Sequence, residues 1–274
     1  MRQQEFMEGV ATALGREERV EALFLGGSFG RGTADEFSDL DYVGLTGHGD
    51  HDAVVALWRE TIEAISPVVF WNQRVGPPTL LNAITRDWLR IDLWLIDKAS
   101  FLSHARPPFD RYSQSTLLRV VDRGDVFAEL PESPPGAAPE KRQVEYVINE
   151  FIRVLGLIAV GVGRREYVLG VTGAGLLRDL LTRLMIEETL SPERGGALHL
   201  SRTITPAQMD ELLALPYPSP VREEVLEAHW ALARTFFPRA RALADRLGIA
   251  WPEAFEQATK RHLQRSFGAE MEPW

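Results

Sequence analysis

Residues 26 to 45 read GGSFGRGTADEFSDLDYVGL, and the types and spacing of their polar groups could do phosphate and metal chemistry. Gly26, Gly27 and Ser28 close the apolar run VEALFLG. Glycines there let a phosphate approach the backbone. The free N–H groups of a helix start, together with the Ser28 hydroxyl, can bind its oxygens, and Arg31 adds a cation about one turn on. Eleven residues after the serine, Asp39 and Asp41 lead into a second apolar run. Residues two apart on a strand share a face, so these two carboxylates present together while Leu40 and Tyr42 lie opposite. Adjacent carboxylates repel, and a divalent cation removes the conflict. Mg²⁺ is hard, favours carboxylate oxygen and keeps places for water and substrate phosphates. Taken separately, the two halves have plainer readings: an ordinary turn, and a strand entry that happens to carry two acids.

A third acid stands in WLRIDLWLID, residues 88 to 97. Leu89, Ile91, Leu93 and Leu95 alternate with Arg90, Asp92, Trp94 and Ile96, which puts Asp92 on the face opposite the aliphatic one. A carboxylate at the centre of such a strand marks a site. Asp97 falls on the aliphatic phase at the strand end and reads as a terminator.

These groups need elements to position them. Strand-length apolar runs recur at 20–26, 39–45, 66–72, 78–85, 88–97 and 116–122, and the helical period holds over about 2–14 and 50–65. The stretch PESPPGAAPE, 131–140, carries four prolines and no apolar periodicity, which reads as a stiff linker. Beyond it the spacing predicts helices over 141–161, 170–190, 206–215, 220–247 and 252–266, with Pro206, Pro220 and Pro252 at or near helix starts. The expected architecture is an α+β domain with a central mixed sheet over residues 1–135, followed by an all-α helical bundle over 140–274.

Composition narrows the function classes. The 274 residues contain no cysteine, which excludes disulfides and thiolate metal sites and permits a reducing cytoplasm. No apolar run approaches the ~18 residues of a membrane span and no apolar signal core opens the chain, so a cytoplasmic protein without membrane partners is expected. The net charge of −9 is uneven: residues 1–140 hold 13 Lys and Arg against 22 Asp and Glu, while the remainder is balanced at 17 and 17. A nucleic-acid partner would call for a basic footprint, and none is present. The acidic half suits a cationic small molecule, or serves solubility alone.

The order GS, two spacers, RG, five spacers, SD, one spacer, D in GSFGRGTADEFSDLD, Gly27 to Asp41, resembles the signature of nucleotidyltransferases of the DNA polymerase β superfamily. Asp92 on a later strand stands where that family places its third metal ligand. LLRVVDRGDVFAELP, 117–131, resembles the strand and turn that close the domain in antibiotic-modifying members, and the helical half is similar, more vaguely, to the bundles of aminoglycoside and lincosamide nucleotidyltransferases. The resemblance implies a nucleotide-binding set of Gly27, Ser28, Arg31 and Ser38, and two Mg²⁺ ions held by Asp39, Asp41 and Asp92. It also implies a nucleoside triphosphate co-substrate, ATP first, and transfer of a nucleoside monophosphate to a hydroxyl of a small molecule by a monomer or homodimer. Asp92 would draw the proton from that hydroxyl. A protein or RNA acceptor, or a nucleotide-binding module without turnover, are the alternatives.

A separate general base could come from the helical half. In KRQVEYVINEFIRVLG, Glu145, Asn149 and Arg153 share a stripe expected to face water, whereas Glu150 lies among Val147, Phe151 and Val154. A carboxylate there either pairs with an arginine or acts as the base, with Glu166 the second candidate. GVTGAG, 170–175, lacks the Lys-Ser/Thr of a Walker loop and reads as a flexible entry to the next helix. The six histidines are scattered and support no zinc site. Trp71 and Trp94 belong to a core or line a pocket.

Overall fold

A computed structural model of the chain describes residues 2–47, 50–76, 78–103, 112–134, 138–189 and 199–274. The chain divides into two compact units, Met1–Pro135 and Gly136–Trp274.

The first unit is built on a six-stranded mixed sheet. Its strands are β1 (Val20–Leu25), β2 (Leu40–Thr46), β3 (Val68–Arg74), β4 (Thr79–Thr85), β5 (Arg90–Asp97) and β6 (Leu118–Asp122), in the order β3-β4-β5-β2-β1-β6. β2 and β5 run parallel and every other neighbouring pair is antiparallel. The alternation of each strand sorts its side chains between two faces. One face of β2 and β5, with Leu40, Tyr42, Ile91, Leu93 and Leu95, packs under α1 (Arg2–Leu14) and α3 (His51–Ile65), which contribute Phe6, Val10, Trp58 and Ile62. Trp58 is fully buried with its ring edge-on to Tyr42, 5.1 Å between centroids. Burying a side chain of this size stabilises the fold by about 2–3 kcal/mol.

On the opposite face, Phe24, Val43, Leu45 and Ile96 are covered by Phe101 and Val126, from the short helices α4 (Lys98–Leu102) and α5 (Val126–Glu129). That apolar cover ends at Val43. Asp41 and Asp92 share its face one step nearer the start of their strands. Asp97 ends β5 and caps α4 by accepting from the Ser100 N–H, the terminator its phase predicts. Asp41 lies two residues beyond α2 and the loop after it, where α2 (Gly27–Gly30) is the single helical turn that follows β1.

In the second unit, α6 (Lys141–Gly163), α7 (Tyr167–Thr189), α10 (Arg222–Leu247) and α11 (Glu253–Phe267) enclose one core, with Phe151 stacked on Phe236 at 3.7 Å. Two shorter helices, α8 (Leu200–Thr203) and α9 (Pro206–Ala214), lie between α7 and α10 in sequence. Pro206 opens α9 behind a Thr205/Gln208 capping box, and Pro252 immediately precedes α11. By length and composition α6 could cross a membrane, but Val144, Ile148, Phe151 and Leu155 line the core of this unit.

One expectation is corrected here. Gly170–Gly175 is no flexible entry: it lies inside α7, which starts at Tyr167. The physical reason is close packing. A Cβ on Gly170 would stand 2.6 Å from Val225 Cγ1, and one on Gly173 3.1 Å from the buried His229 ring, so the missing side chains let α10 approach α7.

Candidate functional site

The site is assembled where β1 turns into α2 against the start of β2. The Gly26 N–H donates to the Asp41 carbonyl at 2.7 Å, which ties the turn to the strand carrying the acid. Gly27 follows with φ +56°, a left-handed conformation that favours glycine. A Cβ there would lie 1.9 Å from Asp41 Oδ2, so the backbone of the turn rests directly on that carboxylate. Gly30 closes the turn from the other side. Its hypothetical Cβ would meet the Thr116 carbonyl oxygen at 2.1 Å and that of Leu25 at 2.8 Å. Between these contacts Ser28 is 7 % exposed, and its hydroxyl is buried without a hydrogen-bond partner. A buried hydroxyl without a partner costs free energy in the ligand-free protein, and a phosphate oxygen would satisfy it.

The carboxylates come from two adjacent strands. Asp41 on β2 and Asp92 on β5 are direct partners in the parallel register, so both side chains emerge on one face. Asp39 stands one step earlier and pairs with Arg90 at 3.1 Å. Burial pushes the Asp41 carboxyl up to about 6, and the charges of Asp39 and Asp92 add to the shift, while Arg31 and Arg90 oppose it. Burial also raises Asp92; a hydrogen bond from Asn82 Nδ2 to Asp92 Oδ1 at 2.8 Å offsets part of this, and Asp39 adds to the rise. Carboxylates held above their ordinary range by burial and by nearby acids are groups whose repulsion a bound cation can relieve.

Gly27, Ser28, Asp41 and Asp92 are thus brought together, with Asp39 and Arg31 near enough for their charges to be felt. Ser38 behaves differently. Its hydroxyl donates to Asp35 Oδ1 and accepts from the Asp35 N–H, and Gln3 of α1 holds its carbonyl, so it stabilises the loop before β2. Asp39 also carries an ion pair to Arg90, and its charge still acts on both Asp41 and Asp92. Among the described residues no three His, Cys, Asp or Glu side chains gather closely enough to cage a metal ion on their own. Two half-buried carboxylates that leave remaining positions to substrate oxygens are nevertheless of the donor type Mg²⁺ takes at phosphate-handling sites.

Glu150 sits on α6 in the second unit, half-buried, and both of its oxygens accept from Arg153, at 2.6 and 2.7 Å. That guanidinium holds its carboxyl below the ordinary range. Of the two expectations for this carboxylate, the pairing with an arginine is the one present. Glu166 is exposed just before α7. Trp71 and Trp94 are both half-buried on the sheet, under Arg59 and Arg74 respectively. His51 hydrogen-bonds Thr79 at 2.8 Å, His229 is buried in the helical core, and His48 and His104 lie outside the described residues.

Several contributors escaped the sequence reading. Asn82, in the middle of β4, contacts Asp92. The Tyr112 ring lies near Gly26, and its hydroxyl is pushed up by burial with the Asp41 charge adding. Arg90, which the sequence marks only by its phase on the strand, pairs with Asp39. The available signal for Asn82 was an amide at the centre of the alternating strand TLLNAIT, but which acid it meets depends on strand order.

No family model and no curated protein matches the sequence. Among solved structures, the chain is similar to an aminoglycoside 6-adenyltransferase from Bacillus subtilis, with 15% identity over 95% of each chain and a TM-score of 0.43. It is also similar to a nucleotidyltransferase-like protein from Exiguobacterium sibiricum 255-15, with 11% identity over 99% of this chain and 82% of that one, and a TM-score of 0.35.

Proposed function

We propose that the protein is a Mg²⁺-dependent nucleotidyltransferase of the cytoplasm that moves AMP from ATP to a hydroxyl group of a small molecule, releasing pyrophosphate. An aminoglycoside- or lincosamide-like antibiotic is the acceptor class we would test first. The observation that carries the reading is the Gly27–Ser28 turn resting on Asp41, with Asp92 beside it across the β2–β5 register.

An anionic triphosphate and a pair of half-buried carboxylates repel, and a cation between them removes that conflict. Asp39, Asp41 and Asp92 would hold Mg²⁺, which when bound offsets charge on the phosphates and makes the acceptor hydroxyl more acidic. The remaining work falls to the chain itself. Ser28 Oγ donates to a phosphate oxygen, and Gly27 lets the turn that carries it rest against Asp41. Asp92, one oxygen of which is already engaged by Asn82, accepts the proton of the acceptor hydroxyl with the other. The acceptor oxygen forms a bond to the α-phosphorus, the α–β phosphoanhydride bond breaks, and pyrophosphate departs.

A pyrophosphate-release screen tests this, with ATP, GTP, CTP and UTP against aminoglycosides and lincosamides, each with and without Mg²⁺. Release that depends on Mg²⁺, on one nucleotide and on an acceptor is the expected result. Transfer that persists in Asp41→Asn or Asp92→Asn would overturn the assignment of the site. Silence from every pair would overturn the small-molecule acceptor and turn the search to protein side chains and RNA ends.

A further inference from the structure

Four polar side chains cross the sheet in a single row. Asn72 on β3 is the register partner of Asn82 on β4, Asn82 is that of Asp92 on β5, and Asp92 is that of Asp41 on β2. Direct partners share a face, so the row runs from the exposed edge strand to the two carboxylates. Its hydrogen bonds have one direction: Asn72 Nδ2 donates to Asn82 Oδ1 at 3.2 Å, and Asn82 Nδ2 donates to Asp92 Oδ1 at 2.8 Å.

We propose that Asn82 is a positioning residue for Asp92, oriented in turn by Asn72, and that this amide row leaves one oxygen of Asp92 for the cation and the acceptor. The inference rests on the nucleotidyl-transfer reading of the site and adds two residues to it. Its chemistry follows from what each group can donate. An ionised carboxylate only accepts, so Asn82 must present its NH₂ to Asp92. Its carbonyl oxygen then faces β3 and requires a donor, which Asn72 supplies. Turning the Asn82 amide over would set its oxygen against the carboxylate and its NH₂ against the NH₂ of Asn72. The amide is therefore fixed at both ends, Asp92 Oδ1 is committed, and the carboxylate plane is held with Oδ2 free of that bond. Hydrogen bonds that orient a metal-binding carboxylate act through its geometry, and their loss weakens metal binding by about 10- to 100-fold.

The test uses the full-length chain, with Mn²⁺ as a paramagnetic substitute for Mg²⁺ and α,β-methylene-ATP as a non-reacting nucleotide. Mn²⁺ affinity is read by electron paramagnetic resonance for wild type, Asn82→Leu, Asn82→Ala, Asn72→Ala and Asp92→Asn. Circular dichroism reports folding. Asn82→Leu keeps the side-chain volume without the donor, so a role in packing alone would leave Mn²⁺ affinity unmoved. We expect Asn82→Leu and Asn82→Ala to weaken Mn²⁺ by roughly 10-fold or more, and Asn72→Ala by a few-fold. With ATP and an acceptor, the loss should appear in kcat rather than in KM for ATP. If Asp92→Asn loses Mn²⁺ while the Asn82 variants bind it like wild type, the positioning role is overturned and the metal site stands. If wild type binds no Mn²⁺, both fall. Should neither Asn82 variant fold, Asn72→Ala decides, and an unchanged affinity there overturns the proposal.

Discussion

Asp41 is half-buried beside two other acids, and its carboxyl is pushed up to about 6 from an ordinary value of 3.8, chiefly by loss of solvent. The folded-state value exceeds the unfolded one, so ionised Asp41 opposes folding. Below pH about 4 the group is protonated in both states and costs nothing; the cost grows as pH rises towards 6 and is complete above it. In the absence of divalent cations, Asp41→Asn should therefore be more stable than wild type at pH 8, by about 1–3 kcal/mol. That advantage should shrink as pH falls through 6 towards 4, which urea denaturation across this range will show. Added Mg²⁺ should stabilise wild type and leave Asp41→Asn almost unmoved. Glu150 provides the contrast at the same scale, since Arg153 holds it deprotonated on α6. Glu150→Gln should keep the transfer rate within about threefold of wild type, whereas Asp92→Asn should lose roughly 10²–10⁴-fold, as removal of a general base does. Steady-state pyrophosphate release distinguishes them.

At the scale of elements, glycines decide how closely segments approach. Gly30 is pressed between two backbone carbonyl oxygens, that of Leu25 at the end of β1 and that of Thr116 in the turn before β6. Gly30→Ala should cost roughly 2–4 kcal/mol of stability and dislodge the turn that bears Ser28. α7 allows a finer comparison. Replacing a helical glycine by alanine gains about 1 kcal/mol of helix propensity. At Gly170 the new methyl group would strike Val225, an overpacking worth about 1–3 kcal/mol, so Gly170→Ala should be destabilising. At Gly175 a Cβ would meet nothing within 4 Å, so Gly175→Ala should stabilise by about 0.5–1 kcal/mol. Thermal melts of the two variants should move in opposite directions.

Over the whole molecule, each unit owns a core. Trp58, Tyr42 and Phe24 are buried in the first, and Phe151 and Phe236 in the second, with no need of residues from the other to complete either cluster. Units built this way can fold separately. Residues 1–135 and 136–274, expressed as two chains, should each give a cooperative urea transition by circular dichroism. A non-cooperative first fragment would show that its sheet depends on the rest of the chain. The acidic excess of the first half belongs to the unit that carries the carboxylate site, so salt should affect its stability more than that of the charge-balanced second half.

Local pattern made much of this legible in the sequence. Strand-length apolar runs mark all six strands, with clear period-2 alternation in β4 and β5, the longer period marks α1, α3 and the bundle helices, and the phase of Asp41 and Asp92 assigns each to the non-aliphatic face of its strand. These are properties of neighbours along the chain, set by backbone geometry. What stands beside what was decided by tertiary structure. The parallel β2–β5 register joins Asp41 to Asp92, and the insertion of β4 next to β5 brings Asn82 to the same carboxylate. Arg90 reaches Asp39, and Arg153 pairs with Glu150. The glycines of α7 read as loop-forming because propensity is local, and the proximity of α10 overrides it. The sequence by itself determined which side chains could do the chemistry and on which face of its strand each lies. Only strand order and register, which depend on contacts between residues far apart in the chain, decided that the Gly27–Ser28 turn rests on Asp41 with Asp92 beside it.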